Sequence, residues 1–197
     1  MGYTKYTFRK VKKHFKLTEH KMPLFSDVSP ISISDWLKQT LSISTTLTLN
    51  SEKARSEGII APFLFELKNR NPDKVALFSG ENLDVNALED LNGEVDFILT
   101  KTPNSTTIDA PIFCLMEAKQ HIIESSLGQC VAQMIAAQIF NKTEKQELPT
   151  IYGCVTSGEV WQFLKLSEKT IYTDQNRYYL DKPKQILGIL QHIVDEV

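Results

Sequence analysis

Apolar residues along the chain follow two periods. Short runs rich in branched and aromatic residues, closed by Gly, Asn or Ser, predict strands at "DKVALFSG", "EVDFILT", "PIFCLMEAK", "TIYGCVTSG", "VWQFLKL" and "KTIYTD". "NLDV" adds a second short piece after the first of these. Between them, Ile59, Ile60, Phe63, Leu64 and Leu67 recur at three and four, which predicts a long helix capped by Asn50 or Ser51 and kinked at Pro62. "SLGQCVAQMIAAQIFNK" predicts a helix of about four turns, and "KPKQILGILQHIVDEV" a last helix entered through Pro183. Ser34 or Asp35 can cap a short helix that turns Trp36, Leu37 and Leu41 inward. "PIFCLMEAK" is nearly continuous in apolar residues, as a strand buried on both faces requires. Helices alternating with strands in this order predict an α/β fold with a central mixed β-sheet flanked by helices. Residues 1–45 read as a basic N-terminal extension with a short helix, and residues 46–197 as one domain.

Composition adds little: 42% hydrophobic and 23% charged residues are those of an ordinary soluble globular chain. No apolar run approaches the ~20 residues of a bilayer span and the start lacks a secretory apolar segment, so the expectation is a cytoplasmic (intracellular) protein without a membrane partner. Cys114, Cys130 and Cys154 lack close pair spacing and sit in apolar segments, which predicts buried free thiols. Charge does change the picture. The net charge of -2 hides an asymmetry, because residues 1–22 carry seven cations against Glu19 alone and leave the remaining chain at -8. Such a segment can lie along a phosphate backbone or form a solvated, loosely ordered tail, and the sequence favours neither.

The end of "PIFCLMEAK" sets Glu117 and Lys119 two residues apart. Strand side chains alternate faces, so both point one way and Ala118 the other. A solvated ion pair is one reading of such a triplet, and pairs of that kind contribute little. Asp96 in "EVDFILT" opens a second. If the two strands are hairpin neighbours, the Asp96 and Glu117 carboxylates sit side by side and repel unless a cation joins them. One or two acids, a backbone carbonyl and waters make a hard-oxygen site for Mg²⁺, open to a phosphate. Lys119 on the same face can orient or help deprotonate the attacking water and offset phosphate charge. His14, His20 and His192 are scattered without ligand spacing. His121, just past Lys119, either touches a phosphate or lies on an exposed loop.

"VDF" followed by "PIFCLMEAK" resembles the Asp, spacer, Glu-x-Lys signature of the PD-(D/E)XK nuclease superfamily, with Val95 where the signature's leading proline stands. "SEKARSEGIIAPFLFEL" is similar to the first helix of the nuclease domain in type I restriction enzyme R subunits, where an acid precedes an aliphatic pair, a proline and a leucine. Glu52 has the better register and Glu57 is a second candidate. Those nucleases then carry a helix glutamine, and Gln129 stands ten residues past Lys119; where a tyrosine often follows four residues on, this chain has Gln133. The similarity spans Ser51 to Leu166. It implies a restriction endonuclease-like fold and a Mg²⁺-dependent DNA nuclease. Asp96 and Glu117 would ligate the metal with the Ala118 carbonyl, Lys119 would be the catalytic lysine, and Gln129 with Glu52 or Glu57 would steady the site or touch the backbone. A homodimer would present two such sites to a duplex. The chain has no ATP-binding loop, so no motor is implied. The alternatives are a non-catalytic nucleic-acid-binding or interaction module on the same fold, and an α/β domain in which Glu117 and Lys119 merely pair.

Overall fold

The short apolar runs pair edge to edge into one mixed sheet in the computed structural model, which describes residues 2–120 and 123–197. In chain order the elements are helix α1 (Phe8–Phe15), strand β1 (Thr18–Met22), α2 (Asp35–Ser44), α3 (Glu52–Arg55) and α4 (Ala61–Arg70). Strands β2 (Ala76–Asn82), β3 (Glu94–Thr100) and β4 (Ile112–Ala118) follow, then α5 (Leu127–Thr143), β5 (Ile151–Thr156), β6 (Val160–Ser167), β7 (Thr170–Asp174), the short β8 (Tyr178–Tyr179) and α6 (Pro183–Glu196). The sheet order is β1-β7-β6-β5-β4-β3-β2, with β8 beside β6. β4 and β5 run parallel, joined through α5, and β1 runs parallel to β7; the other neighbours are antiparallel. α2, α4 and α6 cover one face, α1 and α5 the other, which gives two apolar layers. All seven residues of β4 are buried, as its unbroken apolar run requires. Among the described residues no helix is long and apolar enough to cross a membrane.

The long predicted helix is present with a different internal geometry. Ser51 caps it, its hydroxyl accepting from the Ala54 N–H at 3.0 Å. Between α3 and α4 one π turn (Ser56–Ile60) inserts, with the Ala61 N–H reaching Ser56 O. Pro62 has no N–H to offer the Gly58 carbonyl four residues back. The hydroxyl of buried Ser44 donates to that carbonyl instead, at 2.5 Å.

Two expectations are corrected, and one of two readings left open is removed. Trp36 faces outward, 49% exposed, while Leu37 alone of its pair is buried. "NLDV" is not a strand: beyond Asn82 it lies in a loop closed by a single Asn86–Leu91 bridge. The first residues are not a loose tail. Tyr3, Tyr6 and Val11 are buried, the Tyr3 and Tyr6 hydroxyls donate to the Leu83 and Glu89 carbonyls, and β1 forms an edge of the sheet. Gly128 makes this packing possible, because a Cβ there would stand 2.3 Å from both Thr7 C and Tyr6 O.

Candidate active site

β3 and β4 are antiparallel neighbours whose ladder ends at the pair Phe97–Met116. One step further, Asp96 and Glu117 stand opposite each other, and opposite residues of an antiparallel pair share a face. There the backbone ladder gives way to a side chain: the Ala118 N–H donates to Asp96 Oδ2 at 2.7 Å. Asp96 Oδ1 has no hydrogen-bond partner among the described residues.

Glu117 points at the first turns of α5 and is 3% exposed. Gln129 Nε2 donates to its Oε1, and Gln133 Nε2, one turn on, donates to its Oε2 at 2.8 Å. Lys119 Nζ lies 2.9 Å from Glu117 Oε1 and 3.7 Å from Glu52 Oε2. Three contacts bring Glu52 here. The Gln120 amide donates to the Asn50 carbonyl, the Arg55 guanidinium donates to Ser157 O at 3.2 Å, and it pairs with Glu159 at 3.1 Å. The start of α3 is thereby pinned between the end of β4 and the β5–β6 turn, where Gly158 takes φ +81° beside Ile59.

Burial, then the nearby Asp96 charge, pushes the Glu117 carboxyl up to about 7 against the opposing pull of Lys119 and Gln133. Burial also raises Asp96, although the Ala118 N–H and Lys119 favour its charged form. Lys119 shows the reverse balance: burial works against its charge, yet Glu117, Glu52 and Asp96 together hold its pKa above the ordinary value. The group is thus two acids that resist joint ionisation and one ammonium held charged between them.

The structure brings Asp96, Glu117, Lys119, Gln129 and Glu52 together. It leaves Glu57 out: that side chain is 68% exposed and stands 3.8 Å from Lys53, because five residues along the π-containing helix turn it away from Glu52. Ala118 joins through its main chain, its side chain packing in the opposite layer. Gln133 emerges as a full partner of Glu117; its place one turn after Gln129 on the same helix face was the available signal. His121 lies outside the described residues. The three cysteines are buried free thiols; burial pushes that of Cys114 up to about 12 and raises the other two, which disfavours the thiolate form.

The donor set fits a hard divalent cation. A carboxylate offers about four lone-pair sites; Lys119 and Gln129 take those on Glu117 Oε1, while Oε2 keeps one and Asp96 Oδ1 keeps both. Among the described residues no group of three or more His, Cys, Asp or Glu converges for a metal. A cation here would therefore rest on Asp96, Glu117, a main-chain carbonyl and water, the mixed oxygen shell that Mg²⁺ accepts. Comparison of the chain with family models, curated proteins and solved structures finds no match.

Proposed function

We propose that this chain is a Mg²⁺-dependent DNA nuclease of the PD-(D/E)XK type, built on a restriction endonuclease-like fold. The observation that carries the reading is the convergence, at the end of two adjacent strands, of Asp96, Glu117 and the Lys119 ammonium within 2.9 Å of Glu117. A solvated ion pair needs neither the second acid nor two glutamines behind the first. Asp96, Glu117 and the Ala118 carbonyl would hold Mg²⁺ or Mn²⁺, which when bound supplies Lewis acidity and a more acidic water. Lys119 keeps its proton and offers positive charge to the phosphate group as negative charge grows on its oxygens. Glu52, 3.7 Å from the ammonium, is a second carboxylate that keeps it charged. Gln129 and Gln133 fix both Glu117 oxygens, so that the carboxylate does not reorganise when a phosphate arrives. Two copies related by a twofold axis would bring one site to each strand of a duplex.

A specific observation favours a second reading. Both Glu117 oxygens already receive protein donors, which suits a non-catalytic nucleic-acid-binding module that has kept the fold. A cleavage panel of linear, circular, single-stranded and branched DNA with Mg²⁺ or Mn²⁺ separates the two. The nuclease reading expects cleavage by the wild-type chain and none by Lys119→Ala, with folding and metal binding intact in the variant. DNA binding without cleavage of any substrate, and without a metal-induced rise in Tm, selects the second.

A further inference from the structure

α1 is laid against α5 by one face and charged on the other. Val11 is buried and Phe8 and Phe15 are half-buried in the layer that α5 shares. Arg9 and Lys13 stand on the opposite side, exposed, about 6 Å apart along the axis at 1.5 Å per residue. Lys16 ends the helix in the left-handed region (φ 55°) and is exposed. Lys21 on β1 shares a sheet face with Glu19, which pairs with Lys12 of α1. Among the described residues Arg9, Lys13, Lys16 and Lys21 make no ion pair, whereas Lys5 and His14 on the other flank are paired with Asp90 and Glu89. Lys10 is without an ion pair too but reaches back to the Lys5 carbonyl and the Tyr6 ring on that other flank, so the remaining unpaired cations line one side of the helix and its following strand.

We propose that this α1–β1 surface is a track for nucleic-acid phosphates, in which Arg9, Lys13, Lys16 and Lys21 hold a strand that leads away from the Asp96–Glu117–Lys119 group. Its position follows from Gly128, where the chain at Tyr6–Phe8 touches the first turn of α5, and the next residue on that turn is Gln129, the partner of Glu117. The helix starts beside that first turn, and past its end the Thr18 N–H donates to Lys169 O, next to the Glu168 carbonyl that Gln138 of α5 reaches, so α1 follows α5 away from the site. A polyanion matches four cations that no carboxylate pairs, Glu19 beside Lys21 being taken by Lys12, and duplex DNA carries one charge per ~1.7 Å of its axis. An anionic membrane fits less well, since the apolar face that lipid would bury is already spent on α5. The identification of the polyanion as nucleic acid rests on the nuclease reading; the surface itself does not.

The test is fluorescence anisotropy of a labelled duplex with the full chain in EDTA, over a series of salt concentrations. The variant Arg9→Gln/Lys13→Gln/Lys16→Asn/Lys21→Gln, with asparagine chosen for the left-handed position, should bind at least about tenfold more weakly at ~0.1 M salt and flatten the log–log salt slope by about 3 to 4. Arg9→Lys/Lys13→Arg/Lys21→Arg should keep the wild-type slope, which separates charge from folding. Wild-type affinity and slope in the neutral variant overturn the proposal, as does a wild-type chain that binds phosphatidylserine vesicles but no duplex. Cleavage is read separately in Mg²⁺. Loss of the slope in the variant alongside a wild-type chain that cleaves nothing upholds the track and removes the nuclease reading; cleavage alongside an unchanged slope removes the track alone.

Discussion

Glu117 carries the sharpest consequences at the scale of single residues. Its folded carboxyl binds a proton up to about 7, against an ordinary value of 4.5, so between these values the folded chain holds more protons than the unfolded one. Stability is then full below about 4.5 and falls as pH rises toward 7. Glu117→Gln removes this slope, and Gln133, whose Oε1 has no partner among the described residues, can turn its amide to meet the new one. Melting from pH 4.5 to 8 should show a flatter profile for Glu117→Gln and a higher Tm than wild type at pH 8; parallel profiles would refute the buried-acid account. Asp96→Asn is a cleaner probe of the metal than Asp96→Ala, since an amide carbonyl still accepts from the Ala118 N–H. It should abolish the Mg²⁺-induced rise in Tm, which Lys119→Ala retains. A retained rise in Asp96→Asn would place any cation elsewhere. The sequence made Glu117 and Lys119 legible because strand alternation fixes their shared face, and added Asp96 on the condition that the two strands pair, as they do. It left Glu52 and Glu57 undecided because both occupy early helix turns, and only the contacts of Asn50 and Arg55, 70 and 102 residues from their partners, choose between them.

Among the elements, the α3–α4 helix shows how a local rule and a distant contact share one backbone. Pro62 was legible as a break; the π turn and its support were not, since nothing near Ser44 in the sequence announces that its hydroxyl will serve Gly58. Ser44→Ala leaves that carbonyl without its donor in a buried place, at a cost of about 1–2 kcal/mol. For a chain of this size that lowers Tm by about 3–6 °C. The same helix start carries Glu52 and Arg55, so a nuclease should also lose rate in this variant, with Mg²⁺ affinity unchanged because neither proposed carboxylate ligand moves. A Tm within about 1 °C of wild type would mean that water serves the carbonyl equally well. β4 makes the contrast: its unbroken apolar run predicted a central strand, and it is one. β1 could not be read, because "TEHKM" is exposed at every position and is held by main-chain pairing with β7, which leaves no apolar period to detect.

For the whole molecule the first 22 residues decide whether the chain is a domain with an appendage or one cooperative body. Their charge left a phosphate-binding segment and a loose tail equally open; their burial describes a clamp. Tyr3, Tyr6 and Val11 are each 4% exposed or less, α1 lies on α5, and β1 covers the edge that β7 would otherwise present. Burying side chains of this kind is worth about 1.5–3 kcal/mol each, so the three together approach the ~5–15 kcal/mol by which a folded chain is stable at all. Deleting residues 1–22 is consequently a poor assay of phosphate binding, because it uncovers α5 at Gly128 and opens a sheet edge to aggregation. The truncated chain should melt at least ~10 °C below the full one, or fail to fold, as thermal circular dichroism would record, and any loss of DNA affinity would follow from that loss. Neutralising the exposed cations of α1 and β1 should leave Tm nearly unchanged, since unpaired surface charges contribute little to stability. If the truncated chain instead melts within a few degrees of the full one, the segment is an independent arm and the two-layer description of the α5 face must give way.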